Sequence, residues 1–232
     1  SNYSNARPNL SNKFCKPSMT SSKPPRQTRV EEYLNGLTHG IGFFVCLVAS
    51  PYLLYSAYHS DSEHAFLACA IFCGSLLLMY GASTIYHLAR SSARKSQLRA
   101  LDHICIFILI AGSYTPFALV SLPENWGRGF LLAAWGLATI GVGLKVFFFN
   151  RFTKLSYLLY LAMGWMAVIG YKPLQASLGD GMYLLLAGGI AYTTGILFFL
   201  FDQRVRFFHF MWHLFVLAGS GLHFLAVYKY VI

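Results

Sequence analysis

Charge is scarce in this chain. Only 11% of its 232 residues are charged and only eight are acidic, whereas a soluble domain carries about a quarter charged residues. That shortage excludes an ordinary water-soluble domain. A hydrophobic content of 56% and a mean hydropathy of +0.51 point to a membrane protein instead. Residues 1–30 lack the apolar core of a signal peptide, so nothing there reads as cleavable. Rich in Ser, Asn, Pro and basic side chains, they read as a flexible basic cytoplasmic tail ahead of a membrane domain at 31–232. A disulfide framework is also missing. Cys46, Cys69, Cys73 and Cys105 fall inside apolar runs and Cys15 lies in the tail, so they read as packing residues. No internal repeat is visible.

The net charge of +10 could signal nucleic-acid binding, but its distribution argues against that partner. Seven apolar spans, near 37–57, 65–87, 101–121, 129–149, 153–172, 181–201 and 208–229, each approach the ~20 residues that a helix needs to cross a bilayer. The fifth is diluted by Ser156, Gly164 and Gly170. Basic residues collect in the tail and in alternate gaps: Arg90, Arg94, Lys95 and Arg99, then Arg151 and Lys154, then Arg204 and Arg206. The opposite side shows only Arg128, Lys172 and Lys229, together with Asp61, Glu63, Glu124 and Asp180. By the positive-inside rule the N-terminus is cytoplasmic and the C-terminus outside. The expected fold is therefore an all-α integral membrane protein, a seven-transmembrane-helix bundle inserted in the sense opposite to a G-protein-coupled receptor. Gly188, Gly189, Gly195, Gly219 and Gly221 read as sites of close helix packing.

Ionisable groups inside a bilayer are costly, so each is a functional candidate. His87 ends the second span, with Ser83 one turn deeper on the same face. Asp102 opens the third span. His209 and His213, four apart in HFMWH, occupy the first two turns of the seventh. All five fall within about two helical turns (~11 Å) of the inner interface. Three imidazoles suit zinc with an open fourth position, which Asp102 could fill or could address through a water. Ser83 would orient a ligand or that water.

A lone intramembrane histidine is more often a hydrogen-bonded packing residue, but three with an aspartate at one depth make that reading weaker. Bis-histidine haem ligation uses different helices, and a retinal protein wants a lysine in the middle of the last span, where none stands. His39, with Asn35 and Glu32 on about the same face, could line a cavity below the metal or belong to a helix-start hydrogen-bond network. His103 points away from Asp102, His223 reads as packing ~15 Å farther out, and His59 and His64 read as solvated. Tyr114-Thr115-Pro116 should kink the third span.

Four motifs, E-x2-N-x3-H (Glu32, Asn35, His39), S-x3-H (Ser83, His87), Asp-His followed by GSYTP (Asp102 to Pro116) and H-x3-H (His209, His213), occur in this order. Together they resemble the hemolysin III branch of the progestin and adipoQ receptor superfamily, over about residues 31–232. YLAMGW (160–165) and WHLFV look like the bacterial type. The resemblance implies zinc near the cytoplasmic face of a seven-helix bundle, held by His87, His209 and His213 with Ser83 and Asp102 as partners. It also implies a bacterial plasma-membrane location. Adiponectin-receptor relatives are linked to ceramide hydrolysis, bacterial relatives to membrane-fluidity and energy homeostasis, and the family name to pore formation. Three functions follow as expectations. The first is a zinc-dependent hydrolase of a lipid amide or ester, with Asp102 as general base and Ser83 positioning the water or the oxyanion. The second is a zinc-stabilised membrane sensor or receptor. The third is a cytolytic pore, the least supported, because no span carries a continuous polar stripe.

Overall fold

The computed structural model of the chain describes residues 27–149 and 151–232. The expected tail, up to residue 26 and including Cys15, lies outside the described residues. Every regular element among the described residues is helical. They are α1 (Arg29–Tyr58), α2 (Ala65–Leu88), α3 (Ser92–Pro116) continued by a π-helical turn (Phe117–Ser121), α4 (Glu124–Phe148), α5 (Thr153–Gly164), α6 (Met166–Ile169), α7 (Tyr171–Leu178), α8 (Gly181–Phe201) and α9 (Phe208–Tyr230). Six helical segments are long and apolar enough to span a membrane, or up to seven if the bent pair Thr153–Ile169 and Tyr171–Leu178 counts as one.

The first helix shows why such a chain belongs in lipid. Val30, Tyr33, Leu37, Ile41, Phe44, Val48 and Tyr52, spaced three or four apart, are all exposed. Glu31, Asn35, Thr38, His39, Cys46 and Ser50, on the opposite face, are buried. A polar face turned inward and an apolar face turned outward invert the pattern of a water-soluble helix. α1 also starts two turns before the expected span, and inside the segment read as tail. Thr28 and Glu31 explain this by forming a capping box that satisfies the first free amides. α3 likewise begins at Ser92 and absorbs most of the gap expected at 88–100, carrying Lys95 and Arg99 toward the site.

The packing runs from α1 to α2, α2 to α3 and α3 to α4, with α9 lying between α1 and α8. Close approach at α8–α9 depends on glycines: a Cβ at Gly188 would enter the His223 ring, one at Gly195 would meet Trp212 and Phe215, and one at Gly219 would meet Tyr192. Gly189 and Gly221 differ from expectation, since a Cβ at either meets nothing within 4 Å. The free thiols Cys46, Cys69, Cys73 and Cys105 are buried, as packing residues should be.

The largest departure is the fifth span, which is broken at Trp165 and again at Gly170, with a 63° bend before α7. Breaks strand backbone groups that lipid cannot satisfy. The Tyr114 hydroxyl from α3 meets them: it donates to the Gly164 carbonyl at 2.7 Å and accepts from the Ala167 amide at 3.2 Å. The Tyr-Thr-Pro stretch thus serves α5–α6 as well as its own helix, which widens into the π turn just after Pro116. Tyr114→Phe would orphan both groups and is expected to cost on the order of 2 kcal/mol. Thermal unfolding in detergent measures this, and an unchanged midpoint would contradict the bridging role.

Candidate metal centre

The five candidates come from three helices. His87 sits in the last turn of α2, Ser83 one turn earlier, Asp102 three turns into α3, and His209 and His213 in the first turns of α9. One nitrogen from each of His87, His209 and His213 lies within 4.8 Å of the others. Their ring centroids are 4.8–5.0 Å apart.

Each of the three rings is oriented through Nδ1. His87 Nδ1 lies 2.9 Å from Glu32 Oε2, and the other Glu32 oxygen holds Lys95 Nζ at 2.7 Å. His209 Nδ1 lies 2.7 Å from Asp202 Oδ2. His213 Nδ1 lies 3.1 Å from the Asn35 carbonyl. An acceptor at Nδ1 fixes the tautomer, leaving Nε2 with its lone pair free. The Nε2 atoms of His87 and His209 are buried and have no hydrogen-bond partner among the described residues. Three imidazoles so directed fit a metal ion, because an unpaired buried nitrogen is costly unless something occupies it.

The start of α9 is set from afar. Its cap residue, Phe207, adopts a left-handed conformation with φ 63°, which is unfavourable for a bulky side chain. The Glu31 carboxylate accepts the Phe207 amide hydrogen at 2.8 Å, tying α1 to the first turn that carries His209. A carboxylate there also complements the positive end of the helix.

Ser83 and Asp102 reach the same place. Both are buried, and with His39, His209 and His213 they line an internal cavity of about 80 Å³ that runs inward past Tyr114 and Tyr192. Ser83 Oγ has no hydrogen-bond partner among the described residues. His39 stacks face to face on His213, with centroids 3.6 Å apart and planes 3° from parallel, so it belongs to the cavity wall. Asn35 contributes its backbone carbonyl, while its side-chain amide donates to Gln27 at 3.2 Å. Glu32 is the His87 acceptor.

His103 and His223, neither of them expected among the ligands, stand outside the three-histidine cluster but line the same cavity. His223 stands toward the far end, its Nε2 3.1 Å from the Leu185 carbonyl. His59 and His64 are exposed, as expected. Sequence reasoning missed Asp202, Glu31 and Lys145. Asp202 stands seven residues before His209, in a gap read only for its basic residues. Lys145 is an ionisable residue inside the fourth span and should have been flagged as such.

Asp202→Ala removes an acceptor without touching a ligand nitrogen. Loss of such a partner typically weakens metal affinity by about 10–100-fold, and competition with a chelating dye is expected to show a drop of that size. Equal affinity would mean that Asp202 does not orient His209.

Comparison with known proteins agrees with the motif order. The Haemolysin-III related family matches residues 27–224. A protein called Hemolysin-3 homolog from Bacillus subtilis (strain 168) is 41% identical over 203 residues, covering 87% of this chain and 95% of its own. Hemolysin-3 of Bacillus cereus is also 41% identical, over 87% of this chain and 92% of its own. The human Monocyte to macrophage differentiation factor is 26% identical over 89% of this chain and 87% of its own. No solved structure gives a significant match. With six or seven spans, a three-histidine cluster between its helices and these relatives, the chain belongs to the Haemolysin-III related family of integral membrane proteins.

Proposed function

We propose that this protein binds zinc through His87, His209 and His213, and hydrolyses an amide or ester bond of a membrane lipid as part of membrane lipid homeostasis. The supporting observation is the joint geometry: three imidazoles oriented through Nδ1 stand beside a buried carboxylate and an unpartnered hydroxyl, and all of these but His87 line one internal cavity. Three nitrogen donors and no thiol match the ligand sets of catalytic zinc sites. Zinc at this place would supply Lewis acidity toward a carbonyl and toward water.

The chain's own groups divide the remaining work. Asp102, facing the cavity, is the general base that takes a proton from the attacking water and delivers it to the leaving group. The Ser83 hydroxyl has a free donor, suited to hold the water or the oxygen on which negative charge develops. Apolar cavity walls such as Ile106, Ile110, Ile196 and Val216 exclude bulk water and fit an acyl chain. The proposed setting is a bacterial plasma membrane with the N-terminus in the cytoplasm, resting on the basic residues that flank this end of the bundle.

A second reading has one specific observation in its favour. The ligand histidines come from α2 and α9 while their acceptors come from α1 and the α8–α9 connection. A bound ion would then lock four parts of the bundle, as a zinc-stabilised sensor requires.

The separating experiment assays purified, zinc-loaded protein against long-chain lipid amides and esters, with and without a chelator. The hydrolase reading expects turnover that disappears on zinc removal and returns on re-addition. Zinc that binds and stabilises without turnover on any of them would overturn it in favour of the sensor.

A further inference from the structure

Lys145, in the last turn of α4, is unexplained by the metal centre. It is 2% exposed, within a segment that spans the membrane. A buried ammonium ordinarily has a carboxylate beside it. Among the described residues, none pairs with this one. The neighbours are basic instead. Lys145 Nζ lies 5.2 Å from the centre of the Phe149 ring, and the Arg99 guanidinium carbon lies 5.7 Å from that same centre. The His103 ring is 5.6 Å from it, edge to face. His103 is 6% exposed, and its Nδ1 has no hydrogen-bond partner among the described residues.

Cation–π contacts of about 0.5–2 kcal/mol each do not compensate an ammonium drawn out of water beside a guanidinium. Such an arrangement is stable when an anion completes it. Arg99 is exposed, so the cluster is open on one side, and Arg151 and Lys154 extend the positive surface beyond α4. Val146, Phe147 and Phe148, next to Lys145 in sequence, are exposed apolar residues facing lipid. The opening therefore lies where hydrocarbon meets headgroup.

We propose that Arg99, His103 and Lys145 form a binding site for a phosphate group, with an anionic phospholipid of the adjoining leaflet as its source. Basic pockets between membrane helices recognise headgroups by this chemistry. A guanidinium and an ammonium supply charge-assisted hydrogen bonds, and the His103 imidazole adds a directed one. The site shares no ligand nitrogen with the metal centre and does not depend on hydrolysis.

The test follows thermal unfolding of the full chain in uncharged detergent during titration with phosphatidylglycerol, phosphatidylcholine or inorganic phosphate. Phosphatidylglycerol is expected to raise the midpoint by about 5 °C at a hundredfold excess over its Kd. Phosphatidylcholine, whose phosphate carries its own counter-charge, should do much less. Lys145→Met and Arg99→Gln should each weaken the phosphatidylglycerol response about tenfold or more. Arg128→Gln, at the opposite end of α4 and paired with Glu124, should leave it unchanged. A Lys145-dependent response to inorganic phosphate would support the same site with free phosphate as its source. Should Lys145→Met fail to fold, the exposed Arg99 variant decides. The proposal is overturned by equal phosphatidylglycerol responses in the unsubstituted and Arg99→Gln proteins, or by no response to either phosphate source.

Discussion

Purified His209→Ala protein is expected to hold far less metal than the unsubstituted protein. The substitution deletes one of three nitrogens that converge within 4.8 Å, and it leaves the buried Asp202 carboxylate facing a void instead of an imidazole. Partners one step removed from a metal already govern about 10–100-fold in affinity, so removing a ligand itself should exceed that range. Metal analysis after gel filtration in detergent measures it directly. His87→Ala and His213→Ala should behave alike, whereas His223→Ala, toward the far end of the cavity, should retain the metal. The contrast matters because His87, His213 and His223 are buried and His209 is largely so, and a general loss of packing would affect them similarly. Undiminished metal in His209→Ala would sink the metal-centre reading.

Asp102→Asn should separate binding from chemistry. Asparagine keeps the shape of the side chain and its place in the cavity wall, but it cannot take a proton. Positioned general bases contribute about 10²–10⁴-fold to rate, so lipid amide hydrolysis should fall by that factor while metal content remains. A matching loss of both would instead make Asp102 a ligand of the ion, filling the position that the sequence left open. Full activity in the variant would remove Asp102 from the mechanism altogether. Ser83→Ala is a milder probe, since it removes one hydrogen-bond donor and no charge.

Much of this arrangement was legible in the chain because a bilayer imposes one-dimensional rules. A helix must carry about 20 apolar residues to cross, so hydropathy marks where spans enter and leave. Those ends set the expected depth of every polar residue between them, and on that ground alone His87, Ser83, Asp102, His209 and His213 are predicted to stand at one level. The four spaced motifs placed the chain in its family for the same reason: spacing along a helix is a local property.

Rotation about each helix axis is not local, and there the sequence fell silent. α8 carries no ionisable residue and is apolar on nearly all sides, so nothing in its hydropathy says which face turns inward. The acceptors that aim the histidines (the Asn35 carbonyl, Glu32 and Asp202) depend on those rotations. So does the stacking of His39 on His213. The break in the fifth span could be guessed from its glycines, but not that Tyr114 from another helix would satisfy the freed backbone. Lys145 was visible as a charge yet became meaningful only once Arg99 and His103 were found around the same ring. The sequence by itself determined the class and six of the apolar spans, because those follow from transfer between water and lipid. Only the tertiary structure decided which atoms face one another, because hydrogen bonds between helices depend on angle and distance, and composition encodes neither.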